Sequence, residues 1–303
     1  MKGSLNQAVR RGVAGTAVAS LVAVGVVSLA GATTVAHTSP TATYNAAAAK
    51  LVPASIKSKS SSGGLIEAFD ATYPPDESLA TNHTTIIGFD ADLGKALATT
   101  LGLKFIPKNV TFDNIIPRLL SGAADIGNSS FTDTTLRQKQ VNFVDYFVAG
   151  EAFYVKKSSS LVLNSLAALC GHSVAVETGT VEQSDAMTQS GKCPSSKKIS
   201  VVSYPTQSAA NSAVASARQE AGFADSQVAG YIVAQSKGAF KIAGRAINVA
   251  PYGIALSKKT TFDKAIEAAM NVLIKNGVYT SILKHWGVQA GAVKAAAIND
   301  PTL

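Results

Sequence analysis

The chain has little of what most enzymes display. Only two cysteines and four histidines occur in 303 residues. The histidines, His37, His83, His172 and His285, stand far apart and share no ligand spacing with Cys170 and Cys193, so no metal site is expected. There is no G-x-S-x-G, no H-E-x-x-H, no phosphate-binding loop and no dinucleotide fingerprint, and with them go the usual signatures of nucleophilic, zinc-hydrolytic and nucleotide-dependent chemistry. No cofactor is expected. The formal net charge is +8, but its lysines are scattered and form no Arg-rich or Lys/aromatic stripe, so nucleic acid is not an expected partner either.

What is present begins with a segment of export character. Lys2, Arg10 and Arg11 precede an uncharged stretch from Gly12 to Ala36 dense in Ala, Val and Gly, which predicts a signal peptide over 1–36. Ala30-Gly31-Ala32 and Thr34-Val35-Ala36 offer small residues to a signal peptidase. An uncleaved anchor is the competing reading, weakened by the Gly, Ser and Thr content. Leu29-Ala30-Gly31 is followed by Ala32 and not by a cysteine, so a lipid cannot be attached there. The expected location is therefore exported, extracellular or cell-envelope, without lipidation at the signal end. Residues 37–62, rich in Ala, Ser and Lys, read as a flexible tether, with the fold starting near Gly63.

Two cysteines in an exported chain predict one disulfide, Cys170 to Cys193, whose loop closure is worth roughly 3.5 kcal/mol. Hydrophobic residues make up 47% of the chain, enough for one large core or two medium ones. From Gly63 onward short apolar runs alternate with amphipathic stretches, the pattern of an α/β protein. Leu65–Phe69 reads as a strand; Leu93, Ala96, Leu97 and Leu101 share one helix face stopped by Gly102; Ile115 to Leu120 is stopped by Gly122. A fresh unit opens near Ala152 and returns after Val233, and a helix pair from Phe262 to Trp286 turns at Asn276-Gly277. The predicted domains are lobe 1 over 63–151 and 247–290, lobe 2 over 152–246, and a C-terminal tail over 291–303. One unit inserted in another requires at least two crossings, which is hinge architecture.

Open α/β sheets take ligands beyond the carboxyl ends of their strands. The polar residues at those ends are Asp70 and Tyr73; Asn128, Ser129, Ser130 and Thr132 with Arg137; Thr178, Gly179 and Thr180; and Asp225. Arg137, five residues past Thr132 at the start of an expected helix, can grip a carboxylate bidentately, although a surface salt bridge to Asp133 explains it equally. Asp225 precedes a helix and is explained by capping alone; facing a cleft, it would pair with an ammonium. Tyr73 and Phe112 suit stacking on a ligand stem or plain core. No nucleophile–base pair stands out, though a single carboxylate, Glu177 or Glu182, suffices for an elimination.

The series Gly88-Phe89-Asp90-Ala91-Asp92-Leu93, Phe112-Asp113-Asn114-Ile115-Ile116-Pro117, Asp125 to Arg137, Val141-Asn142-Phe143 and Pro251-Tyr252-Gly253-Ile254 resembles the polar amino-acid branch of the ABC-transporter extracellular solute-binding proteins, over about residues 63–288. The resemblance implies a two-lobed periplasmic-binding-protein-like fold with hinge strands. It also implies a monomeric, non-catalytic protein that captures a polar amino acid by lobe closure and passes it to the membrane permease of an ABC importer. By the same resemblance Arg137 holds the α-carboxylate, with Ser129, Ser130 and Thr132 around it. The turn Gly179-Thr180-Val181 adds donors, although Val181 removes a hydroxyl that relatives carry. Asp225 takes the α-ammonium, and Asp70, Tyr73 and Phe112 meet the side chain. Glu182, standing where many relatives have Gln, adds negative charge that favours a cationic or amide side chain. The alternatives from other classes are a dehydratase of amino-acid-like substrates on the same fold and a ligand-binding sensor component.

Overall fold

A computed structural model describes residues 41–300. The expected signal peptide lies outside the described residues. Along the chain, α1 (Ala46–Lys50) and α2 (Ala54–Ser62) precede β1 (Leu65–Phe69) and a hairpin sheet of β2 (Thr72–Tyr73), β3 (Glu77–Leu79) and β4 (Ile86–Ile87). Then come α3 (Phe89–Leu101), β5 (Phe105–Asn109), α4 (Ile115–Ser121), β6 (Ile126–Gly127) and the long β7 (Val141–Lys156). The second half holds β8 (Ser173–Glu177), α5 (Val181–Lys192), β9 (Ser200–Tyr204), α6 (Gln207–Ala215), β10 (Ala221–Asp225), α7 (Ser226–Gln235) and β11 (Phe240–Ile242). It closes with β12 (Ile247–Ser257), α8 (Phe262–Lys275), α9 (Val278–Trp286) and β13 (Ala292–Ile298).

The strands line up as β5-β1-β6-β12-β7-β10-β8-β9, with β11 and β13 added on β7. β5, β1 and β6 are parallel at one end and β10, β8 and β9 at the other. Between them β7 and β12 run antiparallel, β12 leaving lobe 2 at Ile247 opposite Glu151 and reaching lobe 1 by Ser257 opposite Val141. These two strands are the hinge. Each lobe carries apolar packing on both sheet faces. Phe89, Leu93, Leu97, Ile266, Met270 and Leu273 lie on one face of lobe 1, and Ile115, Leu119, Phe131 and Phe143 on the other. Lobe 2 has Phe153, Val174, Val176 and Phe223 against one face and Ala210, Val214, Val228 and Ile232 against the other. This doubly covered parallel arrangement explains why the strands read as short continuous apolar runs. Truncating a residue such as Leu97, fully buried in α3, is expected to cost about 2–5 kcal/mol.

Three sequence expectations need correction. The segment taken as a tether is folded from Asn45 onward: Asn45 caps α1 by accepting from the Ala48 N–H, and Ala48, Ala49 and Val52 are buried against lobe 1. Lys59 of α2 pairs with Asp125 at 2.7 Å. The expected C-terminal tail instead contributes β13, antiparallel to β7 at Phe147, Asp145 and Val144. Arg137 sits in a 3-10 turn, Arg137–Lys139, not in a long helix. Asp225 occupies the N-cap of α7, yet its side chain makes no capping bond, which leaves the carboxylate for another use. Cys170 and Cys193 form the expected disulfide in lobe 2.

Candidate functional site

The carboxyl ends of β1, β6, β8 and β10 converge where the lobes meet, and the lobes are shut on one another there. Gln207 of lobe 2 donates its N–H to the Thr72 hydroxyl at 3.2 Å, and Gln227 of α7 donates to Asp76 at 2.7 Å and to the Tyr252 hydroxyl at 2.6 Å. Gly179, at φ +85°, brings the lobe 2 turn so close to Asp113 that an added Cβ would stand 3.1 Å from the aspartate side chain.

Arg137 is the buried cation of this junction. Its Nη1 donates to the Thr132 carbonyl at 2.8 Å and its Nη2 to the Gly179 carbonyl, across the cleft, at 3.0 Å. The guanidinium lies over the Phe112 and Phe131 rings, 5.3 and 5.1 Å from their centroids, so cation–π attraction fixes its plane. Burial lowers its pKa, and Glu182 and Asp225 oppose that effect. The alternative salt bridge to Asp133 is not formed; Asp133 accepts instead from Gln138 at 2.8 Å.

Around it the sequence-predicted residues assemble. Tyr73 stacks on Phe112, which stacks on Phe131, with centroids 6.3 and 4.4 Å apart. Asp70 receives the Thr72 hydroxyl at 2.7 Å and the Phe112 N–H at 2.8 Å, so it also holds the aromatic stack in place. Ser129 receives the Asp70 N–H at 2.9 Å. Ser130, at φ +49°, donates its N–H to Asp90 at 2.8 Å and its hydroxyl to Asp76 at 2.7 Å, a strained backbone at a strand end. Thr180 caps α5 by accepting from Gln183 N–H at 3.2 Å, and Val181 opens that helix with its N–H in the first turn. The sites that came together are therefore Asp70, Tyr73, Phe112, Ser129, Ser130, Thr132 and Arg137 from lobe 1 and Thr180, Val181, Glu182 and Asp225 from lobe 2.

The electrostatics are lopsided. Asp225 is raised to about 6 by burial, with the Tyr252 phenol and Arg137 opposing. Burial carries Glu182 well above the ordinary carboxylate range, and Asp225 and Glu151 push it further. Glu151 itself reaches about 8 through burial and then Asp185. Asp76 and Glu77 are raised by burial and by Asp90 beside them. Sequence reasoning passed over Asp76, Glu77, Glu151 and Gln227. Asp76 and Glu77 sit in the hairpin segment where composition alone marks only a loop, and no sequence signal marks their burial. Among the described residues no group of three or more His, Cys, Asp or Glu is arranged to hold a metal ion.

The chain that builds this interlobe junction matches a known family over most of its length. Residues 65–289 match the bacterial extracellular solute-binding proteins, family 3. The chain belongs to this family. Among family 3 relatives, it is 32% identical over 244 residues to the arginine-binding protein ArgT of Corynebacterium glutamicum, covering 80% of each chain. A mutant of ArgBP from T. maritima superposes with TM-score 0.71 at 31% identity, over 77% of this chain and 98% of that one. An ancestral arginine-binding protein bound to arginine superposes with TM-score 0.68 at 34% identity, over 73% and 97%. Family 3 membership and these superpositions agree with the two-lobed architecture traced by β7 and β12.

Proposed function

We propose that this solute-binding protein is exported, captures a free polar L-amino acid between its lobes and delivers it to the permease of an ABC importer, without chemical turnover. The observation that carries the reading is the opposition of Arg137 in lobe 1 to Asp225 in lobe 2 within a buried cleft. A zwitterion presents a carboxylate and an ammonium a few ångströms apart, and these two side chains are its complement. Arg137 holds the α-carboxylate through its two Nη groups, helped by the Ser130 and Thr132 segment and by the N–H groups of Thr180 and Val181 at the α5 N-terminus. Asp225, released from capping, takes the α-ammonium, with Glu182 behind it. Asp70, Tyr73, Phe112 and Ser129 line the far end, where the side chain lies. The arginine-binding names of the relatives support a polar ligand of cationic kind. We read the protein as acting as a monomer, since one chain supplies both walls.

The test is a thermal-shift screen of the protein lacking residues 1–40 against the twenty amino acids with ornithine, citrulline and short polyamines. A rise of several degrees with one or a few polar amino acids supports the reading; consumption of that ligand during incubation would replace binding by catalysis.

A further inference from the structure

Glu177 ends β8 in lobe 2 and faces Asp70, which follows β1 in lobe 1. It is 1% exposed, and neither of its carboxylate oxygens has a hydrogen-bond partner in good geometry. The groups that face it are all acidic or neutral: Asp70 and the Tyr73 phenol from lobe 1, and Asp225 from the neighbouring strand β10. Asp70 differs from it. Both Asp70 oxygens are engaged, by the Thr72 hydroxyl and by the Phe112 N–H, donors that favour its ionised form. Of the two carboxyls, Glu177 is therefore the one that keeps a proton when the lobes are shut. Burial followed by Asp70 takes it to about 10. A buried carboxyl that faces an anion across the cleft and has no cation beside it is the arrangement into which a cation fits.

We propose that Glu177 is the residue that selects a cationic side chain, and that the incoming guanidinium or ammonium takes the place of a proton shared with Asp70. Binding then proceeds with loss of that proton from the Glu177 oxygen to solvent, no other bond being made or broken. The cation sits between two carboxylates, with Tyr73 and Phe112 along its stem. A ligand with a neutral side chain leaves the proton where it is. This rests on the assignment of Arg137 and Asp225 to the two ends of an amino acid, because those contacts aim the side chain toward Glu177.

The experiment is calorimetric titration with L-arginine, and separately with L-glutamine, in phosphate and in Tris at pH 7, two buffers of very different ionisation enthalpy. The expected result is release of about one proton per arginine and none for glutamine. The arginine Kd is expected to fall about tenfold per pH unit from pH 6 to 8, with that of glutamine level. Glu177→Gln is expected to weaken arginine at least tenfold and abolish its buffer-dependent heat; the wild-type buffer comparison stands by itself should this variant fold poorly. Buffer-independent heat for arginine in the wild-type protein overturns the proposal, as does a Glu177→Gln protein that releases the proton normally. Binding of glutamine without arginine overturns this inference and leaves the amino-acid reading intact, whereas binding of no amino acid at all overturns both.

Discussion

The Nη2 of Arg137 in lobe 1 donates to the carbonyl of Gly179 in lobe 2 at 3.0 Å, while Nη1 of the same group holds Thr132 at 2.8 Å. One guanidinium thus spans the cleft, with one donor to each lobe. A ligand carboxylate that takes those donors exchanges neutral carbonyl acceptors for a charged one and keeps both lobes engaged. Charge-assisted bonds contribute about 1.5–3 kcal/mol each. Arg137→Ala is accordingly expected to weaken amino-acid binding at least about a hundredfold. Arg137→Lys should recover only part of this, because an ammonium has no planar fork. Calorimetric Kd values for the two variants check the order.

Glu182 stands 1% exposed beside Asp225 and Glu151. Its pKa is raised in the folded state, so folding at neutral pH takes up a proton that the unfolded chain does not hold. Glu182→Gln removes that requirement. The variant should be more stable than wild type by about 1–3 kcal/mol at pH 7.5, an advantage that shrinks below pH 5, where both forms are protonated anyway. Urea denaturation at the two pH values reads both numbers.

The same sign governs three further buried carboxyls. Glu67 is raised to about 8 by burial, opposed by the Asn128 side chain. Asp145 is raised to about 8 by burial, opposed by the Asp300 N–H, and Glu151 to about 8. Carboxyls with raised folded-state pKa values contribute stability that is present in full below their unfolded values near 4. That contribution is lost as pH rises toward 8. Without added amino acid, Tm should fall by roughly 5–10 °C between pH 5 and pH 8. A Tm that rises over that interval contradicts the account.

The helices α1 and α2 are part of the folded body. Removing residues 1–62 exposes the lobe 1 surface covered by Ala48, Ala49 and Val52 and breaks the Lys59–Asp125 pair. A chain beginning at residue 63 should melt several degrees below one beginning at residue 41, with ligand affinity changed less than threefold. Scanning calorimetry of the two truncations gives the comparison.

Much of this architecture was legible beforehand because local chemistry and tertiary packing agree. Gly102, Gly122 and Gly277 do adopt the left-handed conformations that stop or start helices, and the paired cysteines do join. What escaped reading is small or long-range. Ala46–Lys50 and Ala54–Ser62 have no broad apolar stripe; the first is held by its alanines against α8 and α3 and the second lies on β1 through Ile56 and Ser60, contacts visible only in three dimensions. Ala292–Ile298 carries too few large side chains to announce a strand, and pairing with β7 decides it. The site residues on strand ends could be found by position, since that is where α/β sheets concentrate polar function. Asp76, Glu77 and Glu151 could not, because their importance lies in which carboxylates they meet from distant segments.

The central claim is that both ends of a free amino acid are held, one from each lobe. The most direct measurement is a calorimetric titration of the preferred L-amino acid beside its N-acetyl and carboxamide derivatives. One ligand per chain, with each derivative at least a hundredfold weaker, is the predicted result. Saturation by either derivative with undiminished affinity, or no binding of any free amino acid, would contradict it.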